Sequence, residues 1–171
     1  MKSQPSPSER AARRAARLRG LFVAAISLGI GVLVLLMAES FLAMHCVIAA
    51  AVALSGGIAA GRAALPLHAG SARSAGAIGG TYAALGYALP FMVHNLVRWA
   101  NTNEETVALR MAQLSPQEIA QAQQWNITIG VDYFRGQDIA FLFGYLLFAL
   151  LFGWVLGVIG GLLAQRQLQT R

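Results

Sequence analysis

Residues 49–88, AAAVALSGGIAAGRAALPLHAGSARSAGAIGGTYAALGYA, decide the fold. The stretch holds two apolar runs around a basic connector, and each run carries small residues four apart. Ala49, Ala53, Gly57 and Gly61 form one stripe; Gly76, Gly80, Ala84 and Ala88 form the other. Positions four apart share a helix face. Folded back on itself as an antiparallel hairpin, the stretch pairs Gly61 with Gly76, Gly57 with Gly80, Ala53 with Ala84 and Ala49 with Ala88 in one register. In lipid, apolar faces gain little by meeting, so association relies on close backbone approach at small residues. The expectation is a tight transmembrane hairpin.

The rest of the chain agrees with a membrane setting. Charged residues make up 12% of the 171 residues, about half of what a soluble domain carries, and the mean hydropathy is +0.57. Toward the N-terminus, residues 21–38 are apolar, and residues 21–61 contain one acidic group, Glu39. A span needs about 20 residues, so this length holds two spans turning near 38–41. Beyond the hairpin, a fourth apolar run covers 138–164 and carries a third small-residue stripe, Ala149, Gly153, Gly157 and Gly161. The spans are therefore placed at about 21–38, 42–61, 75–93 and 138–164. The class is all-α, a polytopic membrane protein built as a four-transmembrane-helix bundle.

Residues 1–20 read as a disordered basic leader: two prolines and three serines, then Arg10, Arg13, Arg14 and Arg17 on one helical face. That face either meets anionic headgroups or signals topology. A tail, 165–171, is also basic. Lys2, Arg19, Arg62, Arg73, Arg166 and Arg171 complete one side of the membrane, while only Arg98, Arg110 and Arg135 fall on the other. The positive-inside rule places both termini in the cytoplasm. The first span reads as an uncleaved anchor in a plasma (inner) membrane, and the dominance of Arg over Lys suggests a bacterial source. The charge of +6 is thus a lipid and topology signal; no nucleic-acid partner is expected.

Residues 94–137 form the one long loop, between spans three and four and extracytoplasmic by the charge rule. Thr102-x-x-Glu105 and Ser115-x-x-Glu118 are capping boxes, predicting short helices over about 103–113 and 116–125. Trp99 and Trp125 suit headgroup level. The segment ITIGVDYF, 127–134, alternates and suggests an extended piece.

Candidate chemistry is confined to one cluster. Glu39, His45 and His94 fall at the outer level, with Arg98, Asp132 and Asp138 nearby; two imidazoles and a carboxylate suit a metal, a proton or a porphyrin. The competing reading is a set of interfacial groups capping helix ends. The lone Cys46 excludes an intramolecular disulfide and any multi-cysteine metal site. No G-x-S-x-G, P-loop or paired intramembrane carboxylates occur. Three functional readings follow. The first is a non-enzymatic scaffold or accessory subunit, packing through small-residue faces against a membrane protein partner or a second copy. The second is a small transporter or channel subunit acting as an oligomer. The third is a cofactor- or metal-binding protein using His45 and His94.

Overall fold

The computed structural model describes residues 6–37 and 42–170. It is all-helical, with no strand among the described residues. Four helices are long and apolar enough to cross a membrane: α1 (Pro7–Leu36), α2 (Leu42–Ala64), α3 (Ala72–Asn101) and, last in the chain, Val131–Gln169. Between the last two lie α4 (Glu104–Met111) and α5 (Pro116–Gln124), which makes the long C-terminal helix α6. The turn between the first two helices, with Glu39, lies outside the described residues.

The helices overrun the apolar runs that define them. The leader is the clearest correction. From Pro7 it is helix, continuous with the first span. Ser6 caps the end by accepting from the Glu9 amide at 3.2 Å, Pro7 sits in the first turn, and Arg13 pairs with Glu9 at 2.8 Å. More than capping holds it. Ala12 and Ala16 are fully buried, in a cluster with Ala60, Ala64 and Ala75. The RAAR spacing sends its arginines outward and its alanines onto the ends of α2 and α3. A 3-10 turn, Ala69–Ser71, bridges α2 and α3, with the Ser71 hydroxyl donating to the His68 carbonyl at 2.6 Å.

The described chain divides into two compact units. One comprises residues 1–90 and 146–171, the other residues 91–145.

In the first unit the helices alternate in direction, and glycines make the contacts. The hairpin keeps the expected axial register, but a neighbouring face of each helix makes the contact. The α2–α3 contact runs through Gly56 and Gly79: a Cβ added at Gly56 would lie 2.6 Å from both the Gly79 carbonyl oxygen and the Ala83 methyl. Gly57 and Gly61 turn instead to α6. A Cβ at Gly57 would lie 2.5 Å from the Gly157 oxygen, and one at Gly61 3.1 Å from the Gly161 Cα. Gly76 and Gly80 also turn to α6, and a Cβ at Gly80 would lie 2.5 Å from the Gly153 oxygen. The two stripes of the hairpin thus converge on the third stripe. The physical reason is the paired glycines. Gly56–Gly57 and Gly79–Gly80 give α2 and α3 two adjacent smooth faces each, so one face serves the hairpin and the other admits a third backbone.

Helix α1 packs against both α2 and α3 and runs parallel to α3. A Cβ at Gly20 would lie 2.8 Å from the Tyr82 ring, and one at Gly31 2.5 Å from the Tyr87 carbonyl oxygen and 3.2 Å from Pro90. Pro90 leaves the Gly86 carbonyl without its usual donor. Large side chains point away from this core: Leu21, Phe22, Leu151 and Trp154 are all more than half exposed.

Candidate functional site

The second unit, residues 91–145, contains the polar constellation. It begins where α3 ends. The Thr102 hydroxyl donates to the Arg98 carbonyl at 2.7 Å, closing the last turn. Asn103 then caps α4: its side chain accepts from the Thr106 amide at 2.9 Å, and the Thr106 hydroxyl accepts from the Asn103 amide at 2.8 Å. The expected box at Thr102 and Glu105 is therefore displaced by one residue. Asn and Thr perform the same exchange, which frees Thr102 for the end of α3. The second box forms at Ser115 and Glu118 as the spacing indicates. Hydrogen bonds from the Ser115 amide and hydroxyl hold the Glu118 carboxyl below the ordinary glutamate range. The alternating ITIGVDYF segment forms no strand; α6 starts at Val131 within it.

These caps aim α4 so that Arg110 reaches Asp138 on α6. Asp138 is 1% exposed, and Arg110 contacts both its oxygens, at 2.8 and 2.9 Å. Arg98 adds a longer contact at 3.5 Å. The Arg110 guanidinium also lies 4.2 Å from the centre of the Phe134 ring, within cation–π range. Thr102 has a single hydroxyl hydrogen, already on the Arg98 carbonyl, so it accepts from Arg110 at 3.3 Å. Arg135 donates to the Thr102 carbonyl at 3.0 Å. Three arginines thus tie the end of α3, the end of α4 and the start of α6 around one buried carboxylate. Each oxygen of that carboxylate accepts from Arg110. The chemistry of the cluster is that of a clasp.

The expected Glu39–His45–His94 cluster fares differently residue by residue. Glu39 lies outside the described residues. His45 belongs to the first unit, where its Nδ1 is 3.2 Å from the Tyr87 hydroxyl. His94 is an exposed residue of the second unit. Among the described residues, no group of three or more His, Cys, Asp or Glu is placed to hold a metal ion. Of the other two acidic-level residues, Asp132 is exposed and Asp138 is the clasped carboxylate. Arg10, Arg13, Arg14 and Arg17 are exposed on α1.

Reasoning on the sequence missed Arg110 and Phe134. The signal was present. An arginine in the last turn of a capped helix, and an aromatic four residues before an aspartate, are both helix-face neighbours. Also missed was the buried small-residue face of α1: Ala12, Ala16 and Gly20 at four-residue spacing, then Ser27 and Gly31 after a seven-residue step.

No family model, curated protein or solved structure matches the chain.

Proposed function

We propose that this chain is a multi-pass protein of a bacterial plasma membrane, with both termini cytoplasmic, acting as a non-enzymatic scaffold or accessory subunit. The observation that carries this reading is the glycine junction of α2, α3 and α6. Backbone lies against backbone there, and a Cβ added at Gly57, Gly76, Gly80, Gly153, Gly157 or Gly161 would meet another helix closely. Among the described residues, such backbone contact leaves no room for a solute path through this junction. Substrate pathways in membranes are instead marked by polar groups near the midplane. A rigid membrane body with a separately clasped polar unit suits the positioning of another protein.

The test is purification from the native membrane in mild detergent, followed by identification of what accompanies the chain and by flux assays after reconstitution. A stoichiometric membrane protein partner is the expected result. Solute flux through vesicles containing the purified chain alone would overturn the reading in favour of a transporter or channel.

A further inference from the structure

Between α1, α3 and α6 lies an open groove of about 510 Å³. Its lining includes Arg13 and Arg17 from α1, Ser74, Ile78 and Tyr82 from α3, and Trp154 from α6. The lining is ordered by depth. Helix α1 runs parallel to α3, and a Cβ at Gly20 would lie 3.2 Å from the Gly79 Cα. Arg17 and Arg13, one and two turns earlier, are therefore level with the first turns of α3, beside Ser74. Trp154 follows Gly153, where a Cβ would lie 2.8 Å from the Thr81 Cα. Seven residues separate Ser74 from Thr81, a rise of about 10 Å. The groove thus has a cationic rim at the end of the bundle and an apolar floor about two turns deeper.

We propose that this groove seats one anionic phospholipid, with its phosphate on Arg13 and Arg17 and an acyl chain along Ile78 and Trp154. The proposal rests on the membrane-spanning reading above. Charge complementarity selects the headgroup: Arg17 makes no ion pair among the described residues, and Arg13 has only the exposed Glu9 contact, a type of pair that contributes little. The flanks select the source. Leu18 and Leu21, next to Arg17 along α1, and Trp154 in the lining are each more than half exposed. In a bilayer this mouth faces lipid, and what enters is amphipathic with a negative head.

Brominated lipids test the idea by quenching Trp154 fluorescence. The full chain carrying Trp99→Phe and Trp125→Phe, both at exposed positions, is reconstituted in zwitterionic vesicles. Brominated phosphatidylglycerol or brominated phosphatidylcholine is then titrated in at equal total lipid. The expected result is preferential quenching by the anionic lipid, by about five-fold in apparent affinity for each arginine engaged. Arg13→Gln with Arg17→Gln should abolish the preference. Arg19→Gln with Arg166→Gln removes the same charge away from the groove and should retain it. Equal quenching by the two lipids, or equal loss in both double variants, would overturn the proposal and leave only diffuse surface attraction. Absence of quenching by either lipid would overturn the membrane-spanning reading as well.

Discussion

Arg110 grips Asp138 with both ends of its guanidinium, at 2.8 and 2.9 Å, while the face of the same group rests on Phe134 at 4.2 Å. One side chain is thereby held in direction and in plane. A lysine has the charge but not the fork or the flat face.

Removing the carboxylate therefore strands more than one cation. Asp138→Ala is expected to destabilise residues 91–145 by about 3–5 kcal/mol, the usual consequence of breaking a buried pair on one side. Arg98→Ala removes only the longer contact of a half-exposed side chain, and its effect should stay within about 1 kcal/mol. Hydrogen exchange across α4 and α5 separates the two.

The glycines divide into two kinds on the same helices. Gly31 and Gly157 face another backbone, whereas a Cβ at Gly29 or Gly144 would meet nothing within 4 Å. Gly29→Ala and Gly144→Ala should fold like the parent, since alanine is the better helix former. Gly31→Ala and Gly157→Ala should lower the thermal midpoint in detergent. Equal behaviour of all four would disprove the junction.

The buried alanines of the leader make a parallel case. Ala12 and Ala16 are fully buried, whereas Ala11 is exposed. Overpacking a closed site costs about 1–3 kcal/mol, so Ala16→Leu should loosen the start of α1 and raise its proteolytic sensitivity. Ala11→Leu should not.

The start of α5 should depend on pH in a particular direction. Hydrogen bonds from Ser115 lower the Glu118 carboxyl from its ordinary value of 4.5. A lowered folded-state value means that the stabilisation is fully present above the unfolded value and is lost as pH falls through the folded one. Amide protection over 116–124 should then persist as pH drops past 4.5 and fail only below it. Ser115→Ala should remove that plateau.

Four apolar runs and their stripes were legible because helix periodicity and span length are local properties. The contacting face was not. Gly56 and Gly57 are adjacent and equally small, so spacing cannot say which one meets α3; that depends on where α6 docks, a hundred residues away. The leader misled for a related reason. Its prolines and arginines look solvated, but Ala12 and Ala16 find partners only once α2 and α3 have brought Ala60, Ala64 and Ala75 together. The clasp was half visible: Asp138 stood out as a charge at a span boundary, whereas Arg110 reaches it only because Asn103, rather than Thr102, begins α4.

The junction also has a timetable. Gly76 and Gly80 are synthesised before the residues that cover them, Gly153 and Gly157. At roughly 5–20 residues per second, the intervening chain takes about 4–15 s to appear. During that interval, on the membrane-spanning reading proposed above, two glycine faces of the α2–α3 hairpin stand open. Any neighbouring helix with a small-residue stripe is a competitor for the place α6 will take, so correct assembly depends on how quickly the last helix arrives.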